Sequence, residues 1–144
     1  MNAKAVILSL GTLTALSVPL LAEAWSNPDE VKVCYSFSGN TLKQTQPCIV
    51  STGGGAGGIY ESIRIGNKSY LFEAGCTING DGDCDYDYAY YPGGPDSKEK
   101  PRDAISYLRD ATFHHKVSEE ESSLANHLLY CFKTKNGSVD ICTN

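Results

Sequence analysis

The chain has 144 residues, six cysteines and a formal net charge of −5 at pH 7. This negative charge argues against nucleic acid or an anionic membrane surface as the ligand and favours a basic partner. The length suits one domain with a modest hydrophobic core, and an even number of cysteines points to disulfide bonds.

The first 24 residues have the features of a secretory signal. Lys4 precedes an apolar run over residues 5–21, and Ala22-Glu23-Ala24 fits the A-x-A cleavage rule. A proline and several small polar residues interrupt the run, which argues against a permanent membrane span. The sequence therefore predicts a signal peptide over 1–24, a single mature domain over 25–144, and no membrane insertion after cleavage.

The mature domain is expected to begin with a hairpin. Residues 31–37 alternate between apolar and polar side chains, which is typical of a half-buried strand. A Ser-Gly-Asn turn follows, and residues 41–50 form a weaker strand in which Pro47 favours an edge position. The glycine-rich run over 52–58 is predicted to be too flexible for regular structure.

A second hairpin is predicted over residues 59–73, turning at Gly66-Asn67-Lys68. Its first strand places Ile59, Glu61, Ile63 and Ile65 on one face and the polar residues between them on the other. The stretch over 76–95 then combines a possible exposed strand with a proline-glycine stop.

The last third mixes several signals. Residues 103–116 fit either a helical face or a strand, and the sequence does not decide between them. Ser118 followed by three glutamates is a capping-box pattern that predicts a short helix over about 119–127. Asn136-Gly137 predicts a final hairpin, with a four-residue loop over 135–138.

The hairpin turns narrow the disulfide pairing. The Asn136-Gly137 and Asn79-Gly80 turns each bring two cysteines close together, which predicts the pairs Cys131–Cys142 and Cys76–Cys84. Cys34 and Cys48 then pair by elimination, around the Ser-Gly-Asn turn, as Cys34–Cys48. The middle pair is expected to be centred on Gly80. The predicted fold is therefore mainly β (α+β): a small antiparallel sheet or barrel of three hairpins with one short helix, stapled by three disulfides.

The candidate binding surface is the stretch rich in aspartate and tyrosine. In an extended strand the aspartates share one face, and Cys84 and three of the tyrosines share the other. Carboxylates steer a cationic partner and tyrosine rings supply rigid contact area. The predicted partner-binding residues are Asp81, Asp83, Asp85, Tyr86, Asp87, Tyr88, Tyr90 and Tyr91.

Metal and catalytic motifs are not found in the sequence. Beginning an EF-hand loop at Asp81 places Tyr86 where glycine is needed and Pro92 where glutamate is needed, which leaves only a non-standard calcium site as an alternative. The glycine run lacks the G-K-[ST] ending of a phosphate loop. No serine-hydrolase elbow accompanies the histidines His114, His115 and His127, and all six cysteines are assigned to disulfides.

The resulting functional hypothesis is a monomeric, non-enzymatic, periplasmic or secreted protein that uses no cofactor. It would bind a basic protein, for example as an inhibitor or immunity protein against a basic cell-wall-targeting or secreted hydrolase. The alternatives are a small extracellular hydrolase that uses carboxylates and a surface or matrix protein with a calcium-ordered loop.

Overall fold

The computed structural model describes residues 23–123, 125 and 127–144. The predicted signal peptide lies outside these residues except for Glu23 and Ala24. The described residues form ten strands and one short helix: β1 (Trp25–Ser26), β2 (Glu30–Ser38), β3 (Thr41–Gly55), β4 (Gly58–Ile65), β5 (Lys68–Ile78), β6 (Cys84–Pro92), β7 (Arg102–Asp110), β8 (Lys116–Val117), α1 (Glu119–Ser122), β9 (Leu128–Thr134) and β10 (Asp140–Thr143).

Eight of these strands close into an antiparallel barrel. Their order is β3-β2-β10-β9-β7-β6-β5-β4, and β4 pairs again with β3, which completes the ring. The two-residue strand β1 pairs with the end of β3, and β8 pairs with β7. The predicted mainly β fold with hairpins, disulfides and little helix is confirmed, and the architecture is the barrel.

The inner face of the barrel follows from the pairing registers. Because side chains alternate along each strand, Val50, Ile63 and the residues paired with them point into the barrel. The predicted alternation over 59–65 is confirmed. Inside, Phe72 stacks on Phe132 with the ring centroids 4.7 Å apart. The buried cluster comprises Cys34, Cys48, Val50, Ile63, Ile65, Phe72, Tyr90, Ala104, Phe132 and Ile141.

A second, smaller core lies on the outer face of β2, β9 and β10. It contains Phe37, Leu129 and the Cys131–Cys142 disulfide. The turn after β7 reaches this core, since the His114 ring lies 5.6 Å from that of Phe37. The barrel wall therefore has apolar packing on both faces here.

The three predicted disulfides are all present: Cys34–Cys48, Cys76–Cys84 and Cys131–Cys142. Only the last joins directly opposed residues, and the Thr134 amide donates to the Val139 carbonyl around the predicted four-residue loop. The predicted centre of the middle pair on Gly80 is wrong. Ile78 pairs with Cys84, so the hairpin is centred on Asp81 and its disulfide runs diagonally.

The prediction for the glycine-rich run is also wrong. β3 continues through Gly55, and β4 begins at Gly58 after a two-residue turn in which Ala56 and Gly57 have φ of 50° and 83°. Two positive φ angles are typical of a type I′ hairpin turn. The glycines thus belong to a regular hairpin.

Three other elements refine the predictions. The ambiguous segment over 103–116 is mostly strand β7. The capping box is present, since the Ser118 side chain accepts from the Glu121 amide and the Glu121 carboxylate accepts from the Ser118 amide. The helix α1 nevertheless ends at Ser122 and is shorter than predicted. Within the described part of the chain, the segment of β3 that contains Pro47 pairs with β2 alone, because pairing with β4 begins at Ile49. A strand edge of this kind suits a residue without an amide proton.

No helix among the described residues is long and apolar enough to cross a membrane.

Candidate functional site

The barrel wall has an open seam between β6 and β7. These strands pair at only three positions, Tyr88–Tyr90 against Arg102–Ala104. Beyond Tyr88, residues 84–87 of β6 pair with β5 on one side and, within the described residues, with no strand on the other. The neighbouring part of β7 pairs instead with β9 and β8. The seam therefore leaves a strand edge with unpaired backbone groups.

The Cys76–Cys84 disulfide fixes the geometry of this edge. It cross-links the first residue of β6 to β5 near the end of the β5–β6 hairpin. The tip is ordered by Asn79, whose side-chain oxygen accepts from the amides of Asp81 and Asp83 at 3.1 and 3.0 Å. The backbone amide of Asn79 also donates to the Asp83 carbonyl. Two predicted site residues are thus held in the loop at the end of the hairpin.

The four aspartates lie along one side of the seam. Asp85 and Asp87 are exposed on the outward face of β6, and Asp81 and Asp83 continue the row into the loop. Neighbouring carboxylates in such a row repel one another, and a cation that binds to them offsets this repulsion. The predicted clustering of these carboxylates on one face is seen for the two that lie on the strand.

The four predicted tyrosines are separated by the strand. Tyr86, Tyr88 and Tyr90 point toward the inside of the barrel, and their burial increases in that order from the rim to the core. Tyr90 is part of the buried cluster and is 7% exposed, so the fold uses it for packing. Tyr91 lies on the outer face, away from the seam. The seam brings together Asp85, Asp87 and Tyr86, with Tyr88 behind them, while Asp81 and Asp83 lie in the adjoining loop.

A cleft of about 520 Å³ marks the seam. Tyr86, Asp87 and Tyr88 form one wall, and Asp103–Ser106 with Lys135 form the other. Large apolar side chains are exposed beside it: Ile78 is 72% exposed, and Tyr86 and Ile105 are each 42% exposed. The site therefore combines an unpaired strand edge, apolar contact area and negative charge.

A smaller chamber of about 290 Å³ lies behind the seam, in the mouth of the barrel. Tyr88 and Ser106 line both spaces, so the chamber adjoins the cleft. Glu61 is the carboxylate in its lining, and burial raises the pKa of Glu61 while the nearby Lys32 ammonium opposes the shift. Burial also raises the pKa of the Tyr88 hydroxyl.

Sequence reasoning did not assign Glu61, Ile105 or Ser106 to a site. For Glu61 a signal was present, because it is the one charged residue in an inward-facing row of isoleucines. Ile105 and Ser106 gave no such signal, since their exposure depends on where β7 separates from β6. That separation is a property of the closed barrel.

The histidines lie elsewhere. His114 packs against Tyr35 and Phe37, whereas His115 and His127 are exposed. Within the described ranges, no group of three or more His, Cys, Asp or Glu side chains is arranged to hold a metal ion. Comparison with protein-family models, with curated proteins and with solved structures found no match to this chain.

Proposed function

We propose that this chain is an exported binding protein that takes an extended, basic segment of another protein along the open seam. The single observation that carries the proposal is the unpaired edge of β6 over 84–87, flanked by aspartates and exposed apolar side chains. A strand added at such an edge gains main-chain hydrogen bonds, and alternate side chains supply specificity. β7 diverges from β6 along this stretch, which leaves a cleft for the added strand.

The negative charge of the seam indicates the charge of the partner segment. The stretch over 76–95 contains four aspartates and no lysine or arginine. An acidic edge attracts lysine- and arginine-rich segments and accelerates their association, most strongly at low ionic strength. An acidic or neutral segment would gain the backbone hydrogen bonds without this electrostatic attraction. The partner segment is therefore basic and extended.

The cellular compartment in which the protein acts further restricts the class of partner protein. Three intramolecular disulfides are consistent with an oxidising environment. A predicted signal peptide and a proposed periplasmic or secreted location would bring the protein together with exported enzymes, including cell-wall hydrolases. We propose that the protein neutralises a basic enzyme of this kind as an inhibitor or immunity protein, acting as a monomer and without a cofactor.

A capture experiment tests the partner. The mature protein is immobilised and exposed to the native envelope fraction and to the culture medium. A basic exported protein should be retained by the wild type and lost with the triple variant Asp83→Asn, Asp85→Asn, Asp87→Asn. The control variant Asp96→Asn, Glu99→Gln, Glu120→Gln makes the same change in net charge away from the seam and should retain it. Equal retention by both variants would contradict the proposal.

One observation favours the alternative of a small hydrolase. Glu61 is a carboxyl group with a raised pKa in a chamber, which is the environment of a general acid. The test is a turnover screen on cell-wall and glycan substrates with wild type and Glu61→Gln. Turnover that is lost in this variant would replace the binding function with an enzymatic one.

A further inference from the structure

A second concave surface lies on the outside of the barrel, and Asp87 is the one described residue that its lining shares with the seam cleft. It is a groove of about 850 Å³ between β1, the β3–β4 hairpin tip and the outer face of β5 and β6. This volume is larger than those of the seam cleft and of the chamber behind it. Its size falls within the range of small-molecule and cofactor sites.

The glycine run builds the floor of this groove. A β-carbon on Gly53 would lie 2.6 Å from Cε1 of Tyr60, and one on Gly54 would lie 3.1 Å from Cζ2 of Trp25. Both distances are shorter than ordinary van der Waals contact. The carbonyl oxygens of Trp25 and Gly58 lie closer still, at 2.5 and 2.7 Å from the same two positions. The missing side chains therefore leave room both for these backbone groups and for the two aromatic rings, which accounts for a motif that the seam leaves unexplained.

The groove presents three aromatic side chains. Trp25 is 51% exposed even though it packs on Gly54, and Tyr60 and Tyr91 are half-buried in the lining. A large aromatic ring that is fixed on one side and open on the other offers a rigid apolar face to a ligand. These rings come from β1, β4 and β6, so the apolar contact area is spread along the groove.

Two carboxylates complete the lining. Glu73 and Asp87 lie on the outer faces of the neighbouring strands β5 and β6, and within the described residues neither forms a hydrogen bond or an ion pair. Among the described residues, no lysine, arginine or histidine lines the groove, and the predicted cleavage would remove Ala24 from its lining and leave the α-ammonium group of Trp25 there. Both groups are therefore available as hydrogen-bond acceptors for a ligand.

We infer that the groove binds a neutral oligosaccharide of pyranose units. The apolar C–H face of a pyranose ring packs on an aromatic ring, and its hydroxyl groups donate hydrogen bonds to carboxylates. A chain of such units repeats both features, which matches aromatic rings distributed over three strands with carboxylates between them. A purely apolar ligand would leave Glu73 and Asp87 desolvated without a partner, which is unfavourable.

Trp25 is the only tryptophan of the chain and reports directly on this site. The mature protein is titrated with three hexasaccharides: β-1,4-linked glucose, β-1,4-linked N-acetylglucosamine and α-1,4-linked glucose. At least one should shift the Trp25 emission to shorter wavelength and protect the ring from acrylamide quenching. Because a neutral ligand is bound by packing and hydrogen bonds, high salt should leave the effect in place.

Calorimetry with the responding sugar then identifies the residues involved. Trp25→Ala and Tyr60→Ala should each weaken binding by roughly tenfold or more. The control Phe113→Ala removes a 78% exposed ring outside the groove and should bind as the wild type does. Circular dichroism of each variant shows whether the barrel is intact, and Glu73→Gln provides an isosteric variant that leaves the aromatic rings in place.

Three results would overturn the inference. One is the absence of any change in Trp25 emission with all three sugars at millimolar concentration. Another is a response to spermine or oligolysine that high salt and Glu73→Gln both abolish, because this would identify the groove as a cation site. Binding of a sugar with equal affinity by wild type and Trp25→Ala would place the sugar elsewhere and would equally contradict it.

Discussion

Arg109 and Asp140 form an ion pair inside the protein. Nη2 of Arg109 lies 3.3 Å from Oδ2 of Asp140, and the two side chains are 0% and 1% exposed. Arg109 also donates to the carbonyls of Gly39 and His114, and its guanidinium lies 4.1 Å from the centre of the Phe37 ring. Tyr107 donates to Asp140, so this network ties the β2–β3 turn, β7 and β10 together on the outer face of the barrel.

Breaking this network should be costly. Arg109→Ala leaves Asp140 as a buried carboxylate without its main partner, and the expected loss in the free energy of unfolding is about 3–5 kcal/mol. Lys133→Ala is the control, because Lys133 lies 3.8 Å from the same carboxylate but is partly exposed, and it should cost at most about 1 kcal/mol. Urea denaturation measures both. Similar losses for the two variants would show that Arg109 is not the principal partner.

Glu61 should make the stability depend on pH. Its folded-state pKa is raised above the ordinary value of 4.5, so between these two pKa values the folded state binds more protons than the unfolded state. The free energy of unfolding should therefore fall as the pH rises through this window and level off above it. Glu61→Gln removes the penalty and should be more stable than the wild type at neutral pH, with a smaller difference at low pH.

Urea midpoints measured between about pH 4 and pH 8 check this prediction. Glu120→Gln, on the exposed helix α1, is the matched control and should follow the wild-type profile. A Glu61→Gln profile parallel to that of the wild type would mean that Glu61 does not carry the pH dependence.

Gly53, at the bottom of the outer groove, should tolerate no side chain. A methyl group on Gly53 would lie 2.5 Å from the Trp25 carbonyl oxygen, so Gly53→Ala must displace β1 or the Tyr60 ring. The expected loss of stability is about 1–3 kcal/mol, with a change in Trp25 emission. Gly80→Ala meets no atom within 4 Å and should change neither. If Gly53→Ala unfolded at the same temperature as the wild type, the contact between β1 and Gly53 would not be tight.

The disulfides should differ in importance. By the chain-entropy estimate each contributes about 2.5–3 kcal/mol, so complete reduction should unfold the protein. Replacing both Cys131 and Cys142 by alanine should cost more than replacing Cys76 and Cys84, because the first pair is buried in the second core and the second pair lies near the exposed tip of the β5–β6 hairpin. Denaturation of the two double variants measures the difference, and the opposite order would contradict the packing argument.

Local features of the fold could be read from the sequence, and distant ones could not. Asn136-Gly137 fixes its hairpin and thereby the Cys131–Cys142 pair, because turn geometry acts over a few residues. The insertion of β10 between β2 and β9 and the closure of β4 on β3 depend on contacts between distant residues. The misprediction of the glycine run has the same cause at Gly53, since the atom closest to a β-carbon there is the Trp25 carbonyl oxygen, which is distant in sequence.

The candidate site divides in the same way. Alternation along β6 correctly separates the outward aspartates on the strand from the inward Tyr86, Tyr88 and Tyr90. It does not show that Tyr90 fills the core, because the depth of a strand within the barrel is set by its neighbours. The seam arises from the divergence of β6 and β7, which no local pattern in either strand reveals.

Hydrogen exchange along β6 tests the binding of a strand at the seam most directly. The backbone amides of residues 84–87 that face the seam should exchange quickly in the free protein, because none of the described strands covers them. With the captured basic partner bound, these amides should become strongly protected, and the amides of β5 should change little. Protection that appears elsewhere on the barrel while residues 84–87 continue to exchange as before would contradict the account.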